Sequence, residues 1–307
     1  MVTRLPSLRV TRPTVVAVVG PTATGKSDLA VALALRLGGE VVNADSMQLY
    51  RGMDVGTAKL AESERAGVAH HLLDVWDVRQ TATAAAYQQL ARTVLDDLLA
   101  RGVTPVVVGG SGLYVRAALD AIDFPGTDPA LRAELEAELE ATGPLALHAR
   151  LTALEPAAAA RMEPTNGRRI VRALEVVLLT GSMPGALTSY DALYSATYVG
   201  LDRPDLTAAT DARVDRMWAG GLVEEVRGLE AAGLREGVTA SRALGYAQVL
   251  AHLAGEMSED EAREATKAAT RRFVRRQRAW FRRDPRICWL DPAGDVVAQG
   301  MAVAAPV

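Results

Sequence analysis

The feature that most constrains this chain is the segment 20–27, which reads Gly-Pro-Thr-Ala-Thr-Gly-Lys-Ser. Two glycines separated by four residues and followed by Lys and Ser are typical of a phosphate-binding loop, or P-loop. Residues 14–19 form a short β-branched run without a polar face, which predicts a buried strand. Leucines on one face predict a helix over 27–37. A loop in this context is expected to bind phosphate rather than to form a chance turn.

The residue types of this loop define what it can bind. Gly20 and Gly25 allow backbone N–H groups to approach phosphate oxygens, and the helix N-terminus adds partial positive charge. Lys26 supplies a point charge, and the Ser27 hydroxyl is suited to hold Mg²⁺. The motif therefore predicts a bound di- or triphosphate, without specifying which one.

Strands alternate with helices along much of the chain. This order predicts an α/β fold with a P-loop NTPase-like parallel sheet flanked by helices. A helix is predicted over 83–101, and further strands are predicted at 40–43, 71–75, 105–108, 198–201 and 287–290.

The character of the chain changes after the Phe-Pro-Gly sequence at 124–126. Residues 128–180 are rich in Ala, Leu, Glu and Arg with helical spacing. We therefore predict an all-helical subdomain inserted at 125–197. The catalytic core is predicted to comprise residues 13–124 and 198–307, with a basic helix near its carboxyl end.

Composition limits the setting in which this protein works. The single cysteine, Cys288, excludes an internal disulfide and argues against a cysteine-based zinc site, as in a reducing compartment. Residues 1–13 are expected to be a loose leader without a signal peptide. The absence of an apolar run of about 18 residues predicts no membrane span. We expect a cytoplasmic monomer with no obligatory protein partner.

The net charge of -3 hides a strong asymmetry. Residues 132–140 are acidic, whereas residues 271–286 are densely basic. On a helix, Phe273, Gln277 and Trp280 share a stripe, and arginines occupy the remaining surface. Such a surface favours contact with nucleic acid phosphates, and a solvated face or a membrane-surface helix remains as an alternative.

Asp45 follows the second predicted strand. A carboxylate at the carboxyl end of a parallel strand faces the phosphate site, where it can act as a general base. A turn or N-cap aspartate is the alternative. Small-molecule kinases have a similar Asp, so a kinase remains a second hypothesis. The chain has no N-K-x-D segment, and strand 105–108 does not end in Asp, which argues against a GTPase and an ATPase motor.

Three weaker features carry open alternatives. His70 and His71 indicate a turn or structural role more than a metal site, because adjacent side chains diverge. The Gly-Gly-Ser-Gly sequence at 109–112 indicates either a substrate contact or a tight turn. A basic run before an apolar helix indicates either phosphate contacts or a solvated face, and comprises Arg168, Arg169 and Arg172.

Taken in order, these segments resemble the bacterial tRNA dimethylallyltransferase family. The resemblance extends over roughly residues 15–290, and the Asn-Ala-Asp-Ser-Met-Gln sequence at 43–48 is its most specific part. The other matching segments are residues 20–27, 50–54, 56–59, 70–74, 109–114, 168–176, 221–226, 245–246, 275–277 and 280–281.

The resemblance implies transfer of a dimethylallyl group from dimethylallyl diphosphate to N6 of the adenosine immediately 3′ of the anticodon in tRNA. It implies direct catalytic roles for Asp45, Thr22 and Lys26, and a Mg²⁺ ion held with the help of Ser27. Diphosphate binding is implied for Gly20, Pro21, Thr22, Ala23, Thr24, Gly25, Lys26, Ser27 and Arg213. Contact with the anticodon loop is implied for Asp45, Ser46, Met47, Gln48, Ser111, Arg132, Arg168, Arg169, Arg172, Arg275, Arg276 and Gln277.

The chain departs from the family pattern at a few positions. Ser111 stands where Thr is usual and keeps the hydroxyl, and Asn166 stands near a usual Asp. Ala209 replaces the first of two arginines, so only Arg213 remains there. Two alternative hypotheses remain. The first is a small-molecule or nucleoside kinase, which would turn over ATP. The second is an RNA-binding protein whose P-loop only switches conformation.

Overall fold

The computed structural model describes residues 14–183 and 189–304, so the predicted leader at 1–13 lies outside the described residues. The strands of the described chain are β1 Val15–Val19, β2 Glu40–Asn43, β3 His70–His71, β4 Pro105–Gly109, β5 Ala196–Gly200 and β6 Ile287–Trp289. The helices are α1 Lys26–Leu37, α2 Ala84–Ala100, α3 Gly112–Leu119, α4 Pro129–Thr142, α5 Pro144–Leu154, α6 Pro156–Ala159, α7 Gly167–Thr180, α8 Leu206–Ala219, α9 Leu222–Ala231, α10 Tyr246–Leu253, α11 Glu259–Phe281 and α12 Val296–Ala304.

The six strands form one sheet with the order β3-β2-β4-β1-β5-β6, in which every pair of neighbours is parallel. β1 lies between β4 and β5, with Val16 opposite Val106 and Thr197. The fold class predicted from the sequence, a parallel sheet flanked by helices, is confirmed. Because parallel strands end at the same edge, the loops after β1, β2 and β4 meet there.

The strand residues explain why the sheet is central. All five residues of β1 are buried, and α1 packs Leu29 and Leu33 into the same core as Val16 and Val18. β-Branched side chains on both faces suit a strand that is covered on both sides. The carboxyl end of β1, from which the P-loop emerges, is therefore anchored in the most buried part of the sheet.

The described chain divides into two compact units. The first comprises the described residues up to Ala121 and from Ala192 onward, and the second is Ile122–Asp191. The second unit contains α4 to α7, which enclose a small core of their own around Leu147, Leu151 and Leu174. Its carboxyl boundary lies earlier than the predicted residue 197, because residues 196 and 197 pair with β1 as part of β5.

The third predicted strand is much shorter than expected. We predicted residues 71–75, but β3 contains only His70–His71. Leu72 and Asp74 have φ angles of 61° and 58°, a left-handed conformation that ends an extended strand. Asn43 stabilises this turn, since its side-chain amide donates to the Leu72 carbonyl at 3.0 Å.

Candidate active site

The P-loop geometry depends on its two glycines. Gly20 has a φ of 140°, and a Cβ there would lie 2.1 Å from the carbonyl oxygen of Leu201. Gly25 has a left-handed φ of 85° directly before α1 begins at Lys26. Both positions therefore favour glycine, one through close backbone approach and the other through its backbone angle. The result is a loop that leads directly into the N-terminus of a helix.

The side chain of Lys26, in the P-loop, is partly buried. Its ammonium group donates to the Pro21 carbonyl, which also accepts a bond from the Thr24 hydroxyl at 2.9 Å. Burial lowers the pKa of Lys26 to about 7, the nearby Arg213 charge lowers it further, and Asp45 opposes the shift. Burial also lowers the pKa of Arg213. The Arg213 charge thus acts on Lys26 within a partly enclosed site, and two basic groups held together form a favourable place for an anion.

A large cleft of about 1180 Å³ opens beside the P-loop, and we call it the phosphate cavity. It is rich in charged side chains of both signs, and its acidic lining residues are Asp28, Asp54, Glu62, Glu64, Asp74 and Asp205. Its cationic lining residues are Lys26, Lys59, Arg65, Arg203, Arg213 and Arg216. Its P-loop lining residues are Ala23, Thr24, Gly25, Lys26 and Ser27.

A second cavity of about 310 Å³ adjoins the first, and we call it the acceptor cavity. Arg213 and Met217 line both cavities and so form the boundary between them. The acceptor cavity brings together predicted site residues from three loops and from α11, namely Thr22, Asp45, Ser46, Met47, Ser111 and Arg276. Its apolar lining includes Val214, Leu244 and Phe273.

Asp45 is held in a defined orientation at the wall of the acceptor cavity. Its backbone N–H donates to the Asn43 side-chain oxygen at 2.9 Å, and its carbonyl accepts from the Asn43 amide at 3.0 Å. Its carboxylate accepts from the Met47 N–H at 2.9 Å. That bond occupies one oxygen, Oδ1, which matches the turn alternative for Asp45 and leaves Oδ2 to meet a ligand. The turn and general-base interpretations are thus compatible.

Gln277 is placed differently from its predicted role as a tRNA contact. It is buried, its side-chain oxygen accepts from the Thr22 N–H at 3.0 Å, and its amide donates to the Gly110 carbonyl at 2.8 Å. It therefore ties α11 to the P-loop and to the loop after β4. A side chain engaged in this way is a poor candidate for direct contact with tRNA, and we assign it a positioning role instead.

The segment after Asp45 is tied to a neighbouring loop. The Gln48 amide donates to the carbonyl oxygens of Thr57 and Ala58, at 3.2 and 3.5 Å. The Thr57 carbonyl also accepts from the Arg213 guanidinium at 2.9 Å. Two predicted binding residues, Gln48 and Arg213, thus depend on one backbone carbonyl for their orientation.

The arginines of α11 divide into two groups. Arg271 and Arg278 form ion pairs with Asp211 and Asp202, at 2.6 and 2.7 Å. The predicted contacts Arg275 and Arg276 are exposed, and the Arg276 guanidinium lies 5.7 Å from the ring centroid of Phe273. The sequence did not distinguish the arginines that stabilise the fold from those that remain available to a polyanion.

The helical unit shows the same division. Arg132 and Arg172 pair with the fully buried carboxylate of Glu175, and Arg172 also donates to the Pro125 carbonyl at 2.7 Å. Burial opposes ionisation of Glu175, but hydrogen bonds from both arginines outweigh it and lower its pKa. Arg132 and Arg172 therefore stabilise the helical unit, and their contact with tRNA stays a prediction.

The start of α7 leaves the other two predicted arginines accessible. Arg168 and Arg169 are exposed in its first turn. Asn166 caps the helix through its side-chain oxygen, which accepts from the Arg169 N–H at 3.3 Å. The replacement of the usual Asp by Asn at this position therefore preserves the cap.

The two histidines have structural partners. His71 lies 2.6 Å from a Glu40 carboxylate oxygen, and His70 lies 2.8 Å from the Val68 carbonyl. Across residues 14–183 and 189–304, no group of three or more His, Cys, Asp or Glu side chains is placed to hold a metal ion. Among the helices of the described chain, none is long and apolar enough to span a membrane.

Several lining residues were not predicted from the sequence. Val214, Arg216 and Met217 extend the wall that Arg213 begins on α8. Helical spacing would have found Arg216 and Met217, because residues three and four after Arg213 share its face, but it would not have found the adjacent Val214. Leu244 and Phe273 come from distant segments, and no local pattern connects them to Asp45.

Comparisons with known proteins identify the family to which the chain belongs. The chain matches the IPPT (IPP transferase) family model over residues 48–284. A tRNA dimethylallyltransferase of Thermobifida fusca is 63% identical over 299 residues, covering 94% of each chain. One of Streptomyces coelicolor is 64% identical over 281 residues, covering 91% of this chain and 90% of the relative.

Solved structures of similar proteins share this architecture. A tRNA isopentenylpyrophosphate transferase of Bacillus halodurans is 38% identical, with a TM-score of 0.70 and coverage of 96% of this chain and 95% of the other. A eukaryotic dimethylallyltransferase acting on tRNA has a TM-score of 0.79 at 24% identity, over 95% of this chain and 76% of the other, which supports the fold alone. The resemblance noted in the sequence is confirmed, and it favours a prenyltransferase over a kinase. This chain belongs to the IPP transferase family.

Proposed function

We propose that this protein transfers a dimethylallyl group from dimethylallyl diphosphate to N6 of the adenosine immediately 3′ of the anticodon in tRNA. The observation that carries the proposal is the meeting of two cavities at Arg213 and Met217. One contains most of the P-loop, and the other contains Asp45 with a partly apolar lining. This arrangement suits a diphosphate donor on one side and a nucleobase acceptor on the other.

Donor binding is assigned to the P-loop residues 20–27 together with Arg213. Backbone N–H groups at the start of α1 would receive phosphate oxygens, and Lys26 and Arg213 would neutralise their charge. Hydrogen-bond donors and cations stabilise an anion most effectively where they are preorganised and shielded from water. The partly enclosed positions of Lys26 and Arg213 support this role.

Asp45 is assigned as the general base. The adenine N6 attacks the first carbon of the allyl chain, the bond from that carbon to diphosphate oxygen breaks, and diphosphate leaves with the bonding electrons. The proton lost from N6 passes to the Asp45 carboxylate. An aromatic amine is a weak nucleophile, so positioning and a base are both needed. Thr22, whose N–H is held by Gln277, lies on the same cavity wall.

The residues beside the P-loop fit a Mg²⁺ ion. Mg²⁺ prefers oxygen ligands and is commonly held through substrate phosphates with few protein groups. Ser27, in the first turn of α1, lines the phosphate cavity and would supply the protein hydroxyl. When bound, the ion would neutralise part of the diphosphate charge.

Contact with the tRNA anticodon loop is assigned to exposed basic groups and to the acceptor cavity. Arg275 and Arg276 are the groups of α11 placed for phosphate contact, and Arg168 and Arg169 are those of the helical unit. The flipped adenine would enter the acceptor cavity beside Asp45, because a base must leave its stack to react. The remaining cavity contacts are assigned to Ser46, Met47 and Ser111, together with Gln48, which follows Met47 and is bonded to the neighbouring loop.

A transfer assay tests this proposal. Unmodified tRNA, Mg²⁺ and radiolabelled dimethylallyl diphosphate are combined with the protein, with ATP and small acceptors tested in parallel. We expect label in the tRNA, at the adenosine 3′ of the anticodon. Hydrolysis of ATP with phosphate transfer to a small acceptor, and no labelled tRNA, would instead support the kinase hypothesis.

A further inference from the structure

A single loop, residues 53–58, borders both cavities. Asp54 and Val55 line the phosphate cavity, whereas Gly56 and Thr57 line the acceptor cavity. The Thr57 carbonyl receives the hydrogen bonds of Gln48 and Arg213 described above. The position of the 53–58 loop therefore sets where a donor-binding cation lies and where the segment after Asp45 lies.

The carboxylate of Glu225, on α9, holds this loop through its backbone and does not itself line either cavity. One oxygen accepts from the N–H groups of Asp54 and Val55 at 3.0 and 2.6 Å. The other accepts from the Gly56 N–H at 3.2 Å and from the Tyr246 hydroxyl at 2.5 Å. Three successive backbone donors on one carboxylate fix the course of the loop, since charge-assisted hydrogen bonds are the strong ones.

Tyr246 keeps this carboxylate in place. It is fully buried, and its ring is so close to the loop that a Cβ on Gly56 would lie 2.5 Å from it. Burial, with the Glu225 carboxylate beside it, raises the pKa of Tyr246 well above its usual value. The hydroxyl therefore remains protonated and donates its hydrogen bond to Glu225.

We propose that Glu225 is a positioning residue for the transfer reaction, which places Arg213 and Gln48 through the 53–58 loop. Glu225 lines neither cavity, so its influence passes through the groups it holds, namely the 53–58 loop and Tyr246, of which the loop is hydrogen-bonded to Arg213 and Gln48. The inference rests on the proposed function for its catalytic consequence, but its effect on donor binding can be measured without transfer.

The decisive substitution is Glu225→Gln, because an amide presents one acceptor and one donor to a cluster of four donors. We expect the Kd for pyrophosphate to rise about 10-fold and kcat/KM for tRNA to fall about 10- to 100-fold, as for a small misplacement of binding groups. Glu224→Gln is the matched control. Glu224 is 71% exposed and pairs with Arg227 on the same helix, so both values should stay within about twofold.

A double-mutant cycle separates positioning from general stability. If Glu225 acts on pyrophosphate through Arg213, Glu225→Gln should add almost nothing to the loss already caused by Arg213→Ala. Additive losses, or an unchanged Kd in Glu225→Gln, would overturn the proposal. Should Glu225→Gln fail to fold, Tyr246→Phe removes one of the four donors and must show the same non-additivity. If the wild-type protein binds pyrophosphate but labels no tRNA, the proposed function is refuted. The double-mutant cycle would still decide whether Glu225 positions Arg213.

Discussion

The phosphate cavity and the acceptor cavity share a wall but differ in the side chains that line them. The first is lined by the P-loop and by six cationic and six acidic side chains, whereas the second combines Asp45 and three arginines with the apolar residues Val214, Leu244 and Phe273. A leaving diphosphate needs fixed positive charge, and an allylic carbon under attack needs an apolar surround that limits water. The comparison shows how a displacement reaction could place its leaving group and its nucleophile in two different cavities, with Arg213 and Met217 at the boundary between them.

The largest effect is expected where the acceptor cavity loses the proposed general base, Asp45. Asp45→Ala should lower kcat by about 10²- to 10⁴-fold, because a general base contributes that much. Pyrophosphate binding should change far less than kcat, because Asp45 lines the acceptor cavity and affects the phosphate site only through its charge near Lys26 and Arg213. Single-turnover transfer and calorimetric titration with pyrophosphate measure the two quantities. Turnover at the wild-type rate would remove Asp45 from the mechanism.

A smaller effect is expected from the link between α11 and the P-loop. Gln277→Leu would leave the Thr22 N–H and the Gly110 carbonyl without their side-chain partner. The free energy of unfolding should fall by about 1–3 kcal/mol, the usual cost of buried polar groups left unsatisfied. Urea denaturation measures the change, with Arg275→Ala as an exposed control on the same helix. An unchanged midpoint would mean that both backbone groups readily find water.

The phosphate cavity should also respond to pH through Lys26. Its pKa of about 7 means that the free side chain is largely neutral above this pH, while bound pyrophosphate favours the charged form. Pyrophosphate affinity should therefore be full below pH 7 and fall as pH rises, by at most about 10-fold per pH unit for one proton taken up. Lys26→Arg, which stays charged, should show only the titration of the ligand itself. Identical profiles for the two proteins would contradict this prediction.

The smallest effect is expected outside both cavities, on α11. Arg275→Ala should weaken tRNA binding severalfold and reduce the salt dependence of log Kd by about 0.7 for each lost contact with single-stranded phosphate. Pyrophosphate affinity should not change. Arg278→Ala is a useful contrast, because Arg278 is paired with Asp202 and should affect stability more than salt dependence. Filter binding at several salt concentrations measures the slopes.

Local sequence was sufficient for the elements whose physics is local. The P-loop between a buried strand and a helix could be predicted because glycine spacing, apolar runs and Lys26 lie within about twenty residues. Asp45 was predicted as a site residue from its place after β2. The third strand was overextended, since left-handed angles at Leu72 and Asp74 leave no clear trace in residue type.

Assignments that depend on distant partners were beyond the sequence. Gln277 bonds to Thr22 across 255 positions, and Glu225 holds the 54–56 backbone across about 170. The sequence of α11 predicts a uniformly basic helix. In the structure, Arg271 and Arg278 are paired with carboxylates from α8 and from the loop before it. The sequence by itself determined the fold class, the phosphate-binding loop and the family. Only the tertiary structure decided which polar side chains remain available to a ligand and which are paired within the protein, because pairing depends on the residues that pack against each side chain.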